Sequence, residues 1–243
     1  MTSGHSTTIE YYGSGLKYII DQFKLEEIEG SDSYKIPEGI KAIFITSLAS
    51  IIEGTLKSFL KEFIGNLNIE NITIQDNQEV KPIIEPIIEK SKIDLLKGIC
   101  NDRVKKIENL TFEKLLTEFN SITSKNLNEA LDNHKPNLSE NIKMINKFRN
   151  FFIHANAINV VISEDNSFEF TNKSKVLHNY ILKYDLQKED YKVGDHFIEL
   201  LVTKKLLNHF KDVVFNHFLK LEFWNDTPLT KNMINRIYYE NDL

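Results

Sequence analysis

Met144-Ile145-Asn146-Lys147-Phe148-Arg149-Asn150-Phe151-Phe152-Ile153-His154-Ala155-Asn156 is the stretch on which the reading of this chain turns. On a helical wheel advancing about 100° per residue, Met144, Ile145, Phe148, Phe151, Phe152 and Ala155 fall in one arc. That arc predicts an amphipathic helix with one face in a core. Lys143, Asn146, Lys147, Arg149, Asn150, Ile153 and His154 fall outside it. Asn150 and His154 stand one turn apart on a shared face, where an amide can orient an imidazole. Arg149 and His154 lie about 140° apart on an ideal helix. Their convergence on one ligand requires a distorted helix or a second subunit. Ile153 is a large apolar residue on the polar side and calls for a cover, with a partner helix as its natural source.

Outward from this stretch, Ser139 after Pro136-Asn137 reads as an N-cap, followed by a helix from Glu140 to Asn156. From Glu38 to Ile64, apolar residues repeat at spacings of three and four, and Gly65-Asn66 marks the stop. Ile93–Ile107 and Phe112–Ile122 share that spacing, and Asn126–His134 reads as a short helix or turn. Pro82 and Pro86 are expected to delay the first of these until about Lys92. Ile9–Leu25 suggests an opening helix, weakened by Gly13 and Gly15, and Asn66–Val80 a loop or weak strand. After the central stretch, Asn159–Ile162, Ser167–Phe170 and Tyr180–Tyr184 read as extended pieces, with a turn at Asn172-Lys173-Ser174. Gly194-Asp195 then opens a last long helix, Phe197–Phe223, and Thr227-Pro228 starts a terminal segment.

The resulting expectation is a mainly α chain, a bundle of four principal helices with a small β-hairpin insertion (159–185) before the last one. In domain terms, 1–37 form an extension, 38–223 the helical body and 224–243 a C-terminal segment. The 243 residues suffice for one proper core. Cys100 is the single cysteine, so neither an internal disulfide nor a cysteine zinc cluster can form, in keeping with a reducing compartment. Neither a signal peptide nor a membrane span is read from the sequence: the longest apolar run, Ala42–Ile52, is interrupted by Thr46, Ser47 and Ser50. The expected location is the cytoplasm. A formal charge of −5 argues against a generally basic surface for nucleic acid, while leaving room for a local basic site. Positive charge is almost all lysine, the arginines being Arg103, Arg149 and Arg236.

Arg149-Asn150-Phe151-Phe152-Ile153-His154 resembles the R-x4–6-H motif of the HEPN superfamily, in the form with a polar residue after the arginine. The order of helices around it is also similar. The resemblance implies an all-α bundle, commonly dimeric, of a kind that often acts as a metal-independent endoribonuclease in toxin–antitoxin, abortive-infection and antiviral systems. It implies catalytic roles for Arg149, Asn150 and His154 from each of two protomers, RNA as substrate, no cofactor, and an antitoxin or activating partner. Where some relatives carry a tyrosine two residues after the histidine, this chain has Asn156, so the modification borne by that tyrosine does not carry over.

The chemistry accounts for the residue types. An imidazole titrates nearest neutrality and suits the removal of a 2′-OH proton. A guanidinium matches phosphate oxygens in pairs. The expected products are 2′,3′-cyclic phosphate and 5′-OH ends. Lys143 and Lys147, earlier on the same helix, are candidates for flanking phosphates, against the plainer reading of a solvated face. Two further readings are a non-catalytic RNA- or nucleotide-binding module, and a structural dimerisation subunit in which Arg149 and His154 form a surface tie. Glu53 reads as an exposed carboxylate or, alternatively, as a partner for Arg149 across the bundle. His209 and His217, and the group His178, Asp195 and His196, fit no metal spacing. No phosphate loop, G-x-S-x-G elbow or H-E-x-x-H sequence is present.

Overall fold

The computed structural model describes residues 38–67, 85–154, 156, 158–163, 167–187 and 197–241. The expected opening helix, the stretch 68–80 and the Gly194-Asp195 start lie outside the described residues. Within them the chain is mainly helical. Helix α1 (Glu38–Gly65) packs against α2 (Glu85–Glu108), α3 (Phe112–Thr123), α5 (Leu138–Ile153), α8 (Lys204–Asp212) and α9 (Pro228–Asn241). The short α4 (Leu127–His134) lies against α5. Strands β1 (Val160–Ile162) and β2 (Phe168–Phe170) pair antiparallel, Val161 opposite Glu169, and lead into α6 (Asn172–Lys183) and α7 (Phe197–Leu201).

The Glu38–Ile64 periodicity is realised almost to the residue, ending at Gly65. Phe44, Ile45, Leu48, Ile51, Leu56 and Leu60 are fully buried. Its Gly39–Gly65 portion is also long and apolar enough to cross a membrane, contrary to the expectation that no stretch is. The five helices packed on α1 explain that composition, because a helix covered on several sides is apolar around much of its circumference.

Several elements differ from their sequence reading, each for a local reason. Helix α2 begins at Glu85, earlier than expected, because Pro86 falls in the first turn, where a missing N–H costs no helical hydrogen bond. Ser139 does not cap α5. Its N–H and Oγ both donate to the Asp132 carboxylate, at 2.9 and 2.7 Å, so α4 supplies the cap. Asn137 precedes the helix in the left-handed region, φ 65°.

Tyr180–Lys183 is helical rather than extended, and Tyr184 is the C-cap. Leu177, Tyr180 and Ile181 are buried at spacings of three and four, and this period overrides the aromatic and β-branched composition that suggested a strand. Asn172-Lys173-Ser174 accordingly starts α6 instead of forming a turn. The hairpin therefore closes at Phe170 and does not run to 185.

The expected long last helix is divided. Thr203 interrupts it, accepting from the Leu206 N–H as the N-cap of α8 and donating to the Leu186 carbonyl. Beyond Asp212 the helix widens into a π turn, Val213–His217, then tightens to 3-10 turns. Trp224 anchors that end, its Nε1–H donating to the Phe218 carbonyl at 2.7 Å and its ring packed edge-on to Phe59, Phe218 and Phe223. Thr227-Pro228 does open a new element, α9. Glu62 of α1 accepts the Leu229 and Thr230 N–H groups of its first turn, both at 2.8 Å.

Candidate functional site at the end of α5

The core side of α5 holds the motif in place. Phe148 is fully buried and meets Phe210 edge to face, with ring centres 5.4 Å apart, while Ile145 and Phe151 are also buried. Phe152, placed on the same arc, is only half-buried and packs against Phe151. One residue of the polar side departs from the wheel. Asn146, read as facing outward, is buried and donates to Glu113 of α3 at 3.1 Å. Asn141 is buried as well and accepts from the Tyr180 hydroxyl at 2.8 Å. Both polar groups are affordable inside because a neighbouring helix offers a partner.

Arg149 does not stand free of the bundle. Its Nη1 lies 3.5 Å from Glu53 Oε2, across the α1–α5 contact, with side chains only 28% and 17% exposed. Glu53 is thus the cross-bundle partner rather than an exposed carboxylate. Its other oxygen meets Lys57, one turn on, at 2.9 Å. Among the described residues the buried Nε of Arg149 has no hydrogen-bond partner, while its Nη1 meets Glu53. Lys57 was missed by sequence reasoning, although its spacing of four from Glu53 was visible.

Helix α5 ends at Ile153, and His154 occupies the C-cap with φ −88° and ψ 13°, its backbone N–H donating to the Asn150 carbonyl at 3.2 Å. Its side chain is exposed. Ile153 is exposed too, at 52%. Lys143, Lys147, Asn150 and His154 follow one another at spacings of four, three and four, which makes one polar stripe of about 16 Å along the helix. Lys147 is exposed, and Lys143 and Asn150 are half-buried. Among the described residues no hydrogen bond or ion pair joins the side chains of Arg149 and His154. The structure brings Asn150 and His154 onto one stripe and turns Arg149 toward α1.

Three further histidines among the described residues, His209, His217 and His178, make other contacts. His209 Nε2 and the Tyr180 hydroxyl are 3.0 Å apart, continuing the Tyr180–Asn141 bond and tying α5, α6 and α8 together. Burial, helped by the charge of Lys135, pushes the His209 imidazole down to about 4. His217 Nε2 lies 3.2 Å from Asp212 and 2.6 Å from Lys135 Nζ. In an ordinary α-helix residues five apart diverge, and the π turn is what brings Asp212 and His217 together. Burial and Lys135 lower the His217 imidazole. His178 packs on Phe170 and is lowered by burial. Asp195 and His196 lie outside the described residues. Among the described residues no group of three or more metal-ligating side chains converges.

Comparison with family models, with curated proteins and with solved structures finds no match for this chain.

Proposed function

We propose that the chain is a metal-independent endoribonuclease of the HEPN type, a toxin or antiviral effector, whose site is Arg149, Asn150 and His154. The observation that carries this reading is the stripe of Lys143, Lys147, Asn150 and His154 along α5, ending in an exposed imidazole with a braced guanidinium five residues earlier. In this reading His154 takes the 2′-OH proton, the 2′ oxygen attacks the adjacent phosphorus, and the bond to the 5′ oxygen breaks as that oxygen takes a proton from water. The products are a 2′,3′-cyclic phosphate and a 5′-OH. Arg149 meets the charge developing on the phosphate, and Asn150 orients the imidazole or a phosphate oxygen. Lys143 and Lys147 hold flanking phosphates. A second copy covers Ile153 and brings its own stripe alongside, which overcomes the angular separation of Arg149 and His154.

One observation favours a second reading. Glu53 already matches the charge of Arg149, as a tie between helices would require. A binding or structural module is then the alternative, with Arg149 serving α1–α5 packing. Purified protein incubated with labelled RNA separates them: cleavage that disappears in His154→Ala supports the nuclease. RNA bound without cleavage supports the binding module. Indifference to both Arg149→Ala and His154→Ala sinks the assignment of the site.

A further inference from the structure

We propose that Asn156, steadied by Lys173, is a positioning residue that sets where His154 stands. The inference rests on the proposed role of the α5 site, and deepens it. A helix end leaves carbonyls without intrahelical donors, and here two carbonyls of the last turn, those of Asn150 and Phe151, accept from one side chain as well as from backbone N–H groups. The Asn156 amide nitrogen donates to the carbonyls of Asn150, at 3.3 Å, and Phe151, at 3.2 Å, while its backbone N–H donates to Phe151 at 3.1 Å. Its side-chain oxygen accepts from Lys173 Nζ of α6 at 2.8 Å.

The same segment is pinned a second time. The Asn159 N–H donates to Oγ of the buried Ser174 at 3.2 Å, and the Thr171 N–H donates to the Asn159 carbonyl at 2.9 Å. His154 thus sits between the last turn of α5 and a clamp fastened to α6. The carbonyl that receives its backbone N–H, that of Asn150, is one that Asn156 also grips. Removing the clamp frees the turn that carries the imidazole while leaving the core face of α5 untouched. A misplacement of about 1 Å at a reacting group is enough to cost up to about 100-fold in rate.

The test compares wild type, Asn156→Ala and Lys173→Met, with Lys175→Met as a control, since Lys175 pairs with Glu169 on the hairpin and not with the clamp. Ring signals of His154 are followed by NMR, and cleavage of a short labelled RNA gives kcat and KM separately. The expected result is displaced or broadened His154 signals in both clamp variants and none in the control. kcat is expected to fall about 10-fold for Asn156→Ala and about 3-fold for Lys173→Met, with KM within about twofold. His154 signals identical to wild type in both variants overturn the proposal. If wild type cleaves nothing while the signals still move, the clamp stands and the nuclease reading falls. Should Asn156→Ala fail to fold, Lys173→Met, which leaves the bonds of Asn156 to α5 in place, decides alone.

Discussion

At the residue scale Arg149 and His154 are held in opposite ways. His154 is exposed at a helix end, whereas Arg149 is sunk against α1 and tied to Glu53. Glu53→Gln therefore acts on the site through Arg149. Losing the carboxylate leaves a partly buried guanidinium whose Nε has no partner among the described residues. The expected outcome is a cost of about 1–3 kcal/mol in urea unfolding together with loss of most cleavage. Glu53→Asp, which keeps the charge, is expected to recover part of both. Unchanged cleavage by a destabilised Glu53→Gln protein would mean that the Glu53–Arg149 tie serves packing alone. The contact of Glu53 with Arg149 was legible in the sequence as one of two alternatives. The burial of Asn146 was not, because a wheel records direction and not whether a neighbouring helix offers an acceptor such as Glu113.

At the scale of elements, helices were legible wherever their period was uninterrupted, as in α1, α3 and the core face of α5. What escaped were ends supplied by other elements. Asp132 of α4 caps α5, and Glu62 of α1 caps α9, from positions that no local pattern connects to them. Each cap carries a prediction. Asp132→Ala leaves the Ser139 N–H and hydroxyl without their acceptor and is expected to cost about 1 kcal/mol, seen as a lower urea midpoint with an unchanged slope. Glu62→Ala releases two N–H groups and the Thr230 hydroxyl and is expected to cost about 1–2 kcal/mol. A midpoint equal to wild type in either variant contradicts the assignment of that cap. The π turn also lay beyond the sequence, since a single widened turn changes no residue type. Yet it decides which face His217 shares with Asp212.

At the scale of the whole molecule, α5 joins the bundle through aromatic packing at its middle and a polar relay at its start. Phe148→Ala, at a fully buried position against Phe210, is expected to cost about 3–5 kcal/mol. The relay makes stability depend on pH. His209 has its pKa pushed down to about 4 by burial, and His217 and His178 are lowered as well. A depressed histidine contributes stability above its unfolded value, about 6.5, and that contribution is lost as pH falls toward the folded value. In that window the unfolded chain binds more protons than the folded one. The melting temperature is therefore expected to drop between pH 7 and pH 4.5. His209→Gln, which retains an amide donor for Tyr180, is expected to flatten that drop at some cost in stability at pH 7. A drop just as steep in His209→Gln would move the effect to His178, His217 or the carboxylates.

The most direct test of the central claim is cleavage of labelled total RNA and transfer RNA by the purified protein in EDTA, beside Arg149→Ala and His154→Ala. The account predicts cutting by wild type alone, leaving 2′,3′-cyclic phosphate and 5′-OH ends. Cutting that persists in both variants, or depends on added metal, would contradict it.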